Sequence, residues 1–301
     1  MNTMLLYNVP HEDSFGAMIA LYIFFTGLSA GSFFLSTLSY GFGRIQYRAL
    51  ARPAIIMATL MLVVAPVFLL IHVGKPLRSW HLFLFVNPGS PISWGSFLLT
   101  TYPLFCLIYM ACIFQDREKA AKRWGLIGIP FAVSVHAYTG FILAFCPARP
   151  LWHSSMIPLL FLVSAVVSGT ALMILVFAAQ CRWRGEAMGA EGERGRLLLS
   201  LGRILGWLLV LDLLMTGIDL LVASASGGED RLGVGVLLAG ELAPYFVGIE
   251  IILGKLVPLF ILFHPRLQRV GPLLVASLLI IVGILFMRLD LVRVGEILPL
   301  L

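Results

Sequence analysis

PAIIMATLMLVVAPVFLLIHVG, residues Pro53–Gly74, runs for 22 residues without an Asp, Glu, Lys or Arg. A helix rises about 1.5 Å per residue, so a stretch of this length reaches across the roughly 30 Å hydrocarbon core of a bilayer. Pro66 near its end would count against a helix in water. In a membrane it is tolerated, because neighbouring helices satisfy the freed backbone groups. Seven other stretches share this character: Phe15–Gly43, Ile92–Gln115, Trp124–Ala148, Ile157–Cys181, Ile204–Gly228, Leu242–His264 and Val270–Met287. The expectation is an all-α polytopic membrane protein of eight transmembrane helices, forming one integral membrane domain over residues 1–301.

Composition supports the same reading. Hydrophobic residues make up 60% of the chain and charged residues 12%, about half the roughly 25% charge of soluble domains. Mean hydropathy is +0.98. The net charge of +6 would suggest a nucleic-acid partner in a soluble protein, but here basic loops on one side of a bilayer account for it. Nucleic acid is therefore excluded as a partner.

Fourteen of the 21 Lys and Arg residues fall in one set of loops, among them Arg44, Arg48, Arg52, Lys119, Arg203, Arg266 and Arg269. Six others, Lys75, Arg78, Arg149, Arg231, Arg288 and Arg293, belong to the opposite set or the C-terminal segment, and Lys255 lies within a span. The positive-inside tendency then puts both termini outside, as an even number of spans requires. The first span begins too late for a removable signal peptide and lacks its basic start and cleavage pattern, so it is expected to be retained.

Polar groups inside the spans form two sets. Tyr22 lies seven positions after Phe15 and Tyr138 eight before Cys146, roughly 10 and 12 Å from the same outer face, where His72 closes the second span. His11 precedes the first span and could cap a site there. An amphipathic ligand with two carbonyls, such as a quinone, needs only a few such groups in an apolar pocket. The same residues would also serve as an interfacial belt of aromatic and histidine side chains. A second set lies deeper. Asp212 and Asp219, seven apart, share a helical face, and Glu250 and Lys255 occupy the next span. Such groups either bridge helices as ion pairs or line a proton route.

Other chemistries lack their residues. Among six histidines only His136 sits well inside a span, too few for a bis-histidine haem. Cys106, Cys112, Cys146 and Cys181 are dispersed, without iron–sulfur or zinc spacing. No Walker A sequence or Gly-x-Ser-x-Gly elbow is present. The chain is expected to bind no metal, haem or cluster of its own.

The loop HVGKPLRSWHLFLFVNPGSPISWG (His72–Gly95) combines turn residues that shape its backbone with Trp80, His81, Phe83 and Phe85, the character of a docking surface or an aromatic belt. Together with HAYTGFILAF (His136–Phe145) it resembles the NrfD-like family, which includes the membrane subunit of polysulfide reductase. ALYIFFTGLSAGSFFLS (Ala20–Ser36), PLWHSSMIPLLFLVSAVVSGTAL (Pro150–Leu172), GKLVPLF (Gly254–Phe260) and MRLDLVRVGE (Met287–Glu296) extend the resemblance over essentially the whole chain.

That resemblance implies two packed four-helix bundles and a quinone site near the outer face. It implies a four-cluster ferredoxin-like partner docked there on the His72–Gly95 and Ala148–Ser155 loops, beside a molybdopterin catalytic subunit, in a bacterial or archaeal cytoplasmic membrane. The chain would be the quinone-binding anchor and electron-transfer subunit of an oxidoreductase using menaquinone or ubiquinone. Tyr138 matches the tyrosine that bonds a quinone carbonyl in polysulfide reductase. Tyr22 stands where that enzyme has a first-helix histidine, and His72 where many relatives carry an acid. The alternative from another class is a secondary transporter, with Asp212, Asp219, Glu250 and Lys255 binding substrate or protons at the midplane.

Overall fold

The computed structural model describes residues 15–74, 76–146, 149, 151–186 and 192–297. Eight of its helices are long and apolar enough to cross a bilayer, and each overlaps one expected span. They are α1 (Ala17–Tyr40), α2 (Arg48–His72), α3 (Pro91–Phe114), α4 (Glu118–Ala144), α5 (Met156–Trp183), α6 (Glu193–Ser226), α7 (Pro244–Phe263) and α8 (Val270–Ile297). Short helices, His81–Leu84 and Gly228–Ala239, interrupt two connections. The chain is a multi-pass integral membrane protein.

The helix ends differ from expectation where charge and helix coexist. α4 starts at Glu118 rather than Trp124, and α6 at Glu193 rather than Ile204. Charged residues leave the hydrocarbon without leaving the helix, so an apolar run underestimates helix length. At α8 this matters more. The expected span stopped at Met287, but the helix continues to Ile297 and Arg288 is 1% exposed inside it. Arg288 is thus no loop residue, which leaves five basic residues in the minority set and sharpens the charge asymmetry.

The most enclosed span is α1, whose apolar window is 78% buried against 28% for α2 and 22% for α3. It packs on α2, α4, α5 and α8. Its sequence explains why. Ser29 and Ser36 donate across to the backbone carbonyls of Ala58 and Ala51 on α2, at 2.7 and 2.8 Å, while Tyr109 of α3 donates to the Ser36 carbonyl at 3.1 Å. Small residues complete the face. A Cβ on Gly169 of α5 would lie 2.6 Å from the Cα of Gly31, so these two backbones touch. Close approach of this kind holds helices together in lipid, where exclusion from water supplies no drive.

The first part of α7, Pro244–Leu256, is wound with i→i+5 hydrogen bonds before tightening into an ordinary helix at Val257–Phe263. This wider winding brings residues five apart towards one face, the spacing of Glu250 and Lys255. Such windings occur mostly as single turns, frequently at functional sites.

Candidate functional site

At the end of the helices where α2 finishes and α3 begins, α1 to α4 enclose a cavity of about 390 Å³. Its wall is almost wholly apolar, from Ile19 and Ile23 of α1, Leu69 of α2, Leu99 of α3 and Ile142 and Leu143 of α4. Seven polar side chains break that lining, among them Tyr22, His72, Ser79 and Tyr138. Among the described residues the Ser79 hydroxyl is buried without a hydrogen-bond partner. By contrast Ser96, Thr100 and Thr139, which line the same space, are satisfied by carbonyls of their own helices. A few polar side chains in an otherwise apolar cavity are the pattern of a small-molecule site, so Tyr22, Tyr138 and His72 mark a place for an acceptor-bearing molecule.

The outer wall is fastened to the far end of the chain. Phe15 stacks parallel to His72 with ring centroids 6.5 Å apart and meets Trp152 edge-on at 5.4 Å. Its backbone N–H donates to Glu296 Oε1 at 3.0 Å. Glu296 also pairs with Arg149 at 3.3 Å, and Trp152 Nε1 donates to the Leu291 carbonyl at 2.7 Å. Trp152 occupies a notch that only glycine leaves open, because a Cβ on Gly295 would overlap its indole.

Deeper in the protein, Lys255 Nζ lies 3.0 Å from Asp212 Oδ2, 2.9 Å from Glu250 Oε1 and 2.8 Å from Thr216 Oγ1, all out of contact with solvent. One cation thus faces two carboxylates. Arg288 lies with its Cζ 3.6 Å from the centre of the Phe161 ring and donates to Ser164 and to the Phe161 carbonyl. The same carbonyl is 2.8 Å from His136 Nε2. The remaining Arg288 nitrogens, both Asp290 carboxylate oxygens and His136 Nδ1 have no hydrogen-bond partner among the described residues. Among those residues no three His, Cys, Asp or Glu side chains gather as a metal site.

The sequence matches the model of the family described as Polysulphide reductase, NrfD, over residues 7–299. The chain belongs to the NrfD family. It is similar to a subunit of the selenate reductase of Mesobacillus selenatarsenatis, 32% identical over 70% of this chain and 57% of that one. It is 31% identical to the Hdr-like menaquinol oxidoreductase integral membrane subunit of Archaeoglobus fulgidus, over 64% of this chain and 50% of the relative. A polypeptide of the polysulfide reductase of Wolinella succinogenes is 30% identical, over 57% of this chain and 61% of that protein. The chain therefore spans between half and about three-fifths of the length of these relatives.

In this NrfD protein, Tyr22, His72 and Tyr138 line one cavity, whereas His11 lies outside the described residues. Asp212, Glu250 and Lys255 form one cluster, but Asp219 stands apart from it. Seven residues carry Asp219 roughly 10 Å along α6, where its Oδ1 accepts from the Ser154 hydroxyl at 2.8 Å and ties the helix to the loop before α5. Sequence reasoning passed over Ser79, Arg288 and Asp290. The signal for the last two was present, since Met287, Leu291 and Val294 continue the helical spacing beyond the apolar run.

Proposed function

We propose that this protein is the quinone-reactive membrane anchor of a multi-subunit oxidoreductase, exchanging electrons between a membrane quinone and an iron–sulfur partner on the outer face. The observation that carries the reading is the cavity. Two tyrosines and a histidine line an apolar space in the range typical of small-molecule sites, roughly 300–1,000 Å³. A quinone accepts two electrons with two protons at its two carbonyl oxygens. Tyr138 and Tyr22 would donate to those oxygens and fix the ring, while His72, at the mouth beside Phe15, is placed to exchange protons with the outer aqueous phase. The names of the relatives support a reductase setting, and one of them names menaquinol.

Electrons then leave or arrive through a partner. The His72–Gly95 loop turns Trp80, Leu84 and Phe85 outward, at 55, 65 and 75% exposure, beside the mouth of the cavity. With the Ala148–Ser155 segment it makes the surface on which a four-cluster ferredoxin-like subunit would dock, alongside a molybdopterin catalytic subunit. The charge asymmetry supports both termini lying outside, in a bacterial or archaeal cytoplasmic membrane. Helix packing supports a division into α1–α4 and α5–α8, with α1 and α5 at the seam.

A transporter reading would rest on Lys255 and its carboxylates. Their mutual pairing leaves Lys255 engaged by three oxygens and so favours the redox reading. Replacing Tyr138 by Phe keeps the ring and removes one donor. Quinol turnover of the assembled complex is expected to fall about tenfold, the equivalent of about 1.4 kcal/mol. Wild-type turnover in that variant would overturn a direct role for Tyr138.

A further inference from the structure

Gly95, which closes the loop motif, sits near the start of α3 in a position that does not call for glycine on conformational grounds. Its φ is not positive, and glycine weakens a helix relative to alanine. The reason for it lies across the helix contact. A Cβ at Gly95 would overlap Cζ, Cε1 and Oη of Tyr138, the reacting end of that side chain rather than its stem. Gly140 on α4 is different, since its added Cβ would meet backbone, the Cα of Pro158 at 2.7 Å, as at any tight helix crossing.

We infer that Gly95 is a positioning residue for the quinone site: its bare backbone is the wall that sets where the Tyr138 hydroxyl stands in the cavity. The inference rests on the reading of that cavity as the quinone site. A methyl group at position 95 needs roughly 3.5 Å to the phenol, so the ring tip must swing away by far more than the few tenths of an ångström over which an O–H···O bond stays strong. Tyr22 reaches the cavity from α1, and none of its atoms is among those nearest the added Cβ. The effect therefore falls on one donor.

The test is a double-mutant cycle on the full complex, with turnover at saturating water-soluble quinol normalised to assembled subunits. Gly95→Ala should lower turnover about as far as Tyr138→Phe, and the combination should fall no further. Wild-type turnover in Gly95→Ala overturns the inference, as does an equal fold-loss from Gly95→Ala in both backgrounds, which would mean that the effect does not run through the hydroxyl. If Tyr138→Phe alone turns over normally, the reading of the cavity fails instead, a result distinct from an impaired Tyr138→Phe beside an unimpaired Gly95→Ala. Should Gly95→Ala fail to assemble, Gly95→Ala/Tyr138→Leu, which lacks the overlapping ring atoms, is expected to restore assembly. Failure to restore it overturns the inference.

Discussion

At the scale of single residues, Lys255 and Ser79 have opposite standing. Lys255 holds two buried carboxylates and a threonine hydroxyl, so Lys255→Met leaves both acids without the cation that pairs with them directly in a medium that cannot solvate them. Removing one partner of a buried ion pair costs about 3–5 kcal/mol, and a lowered melting temperature of the detergent-solubilised complex is the expected result. Adding Asp212→Leu and Glu250→Gln should recover part of that loss; no recovery would separate the effect from the ion pairs. Ser79 lines the cavity and its hydroxyl has no hydrogen-bond partner among the described residues, so Ser79→Ala should leave the melting temperature unchanged, and a quinol KM raised by a few-fold, about one weak hydrogen bond, is expected if the hydroxyl turns to bound quinol. The two differ as much in how legible they were. Lys255, a charge in an apolar run, is conspicuous, and depth counting along helices brought Tyr22, His72 and Tyr138 to one level. A loop serine between Arg78 and Trp80 has no such mark, because loops have no period. Arg288 was misplaced for a related reason: charge was taken as the end of a helix that continues through it.

At the scale of elements, the eight spans were legible because each carries its apolar run, while the winding of α7 was not, since no pattern of residue types distinguishes i→i+5 from i→i+4 closure. That winding has a functional test. If Glu250 and Lys255 form a proton route with Asp212, which Lys255 joins to Glu250, Asp219 would enter it only through the loop that it binds. In proteoliposomes, Glu250→Gln is expected to keep quinol turnover but reduce the membrane potential generated by it. Unchanged potential in a properly assembled complex would leave Glu250 a structural ion-pair partner. The α1–α5 seam makes a simpler prediction. Gly169→Val inserts a branched side chain where Gly31 backbone already lies, and overpacking of this kind costs about 1–3 kcal/mol. The melting temperature should fall even if the cavity is intact, and an unaltered melt would show that the helices can part without loss.

At the scale of the whole molecule, the cavity, the aromatic loop and the Arg149–Glu296 fastening all lie at one end of the helices. Crosslinkers placed in the His72–Gly95 and Ala148–Ser155 loops are expected to capture the iron–sulfur partner, and exclusive capture of a protein on the arginine-rich face would reverse the proposed topology. The enclosed position of α1 bears on biogenesis as well. It is the first of these spans to leave the ribosome, yet its face notched at Gly31 is completed only when α5 arrives, ending at Trp183. At about 5–20 residues per second, α1 waits on the order of ten seconds or more with a semi-polar face that lipid cannot satisfy. A nascent chain stopped before α5 should therefore remain crosslinked to the insertion machinery through Ser32, beside the Gly31 notch, and release into lipid should follow only once α5 has been synthesised. Early release of the shorter chain would mean that α2 alone shelters that face.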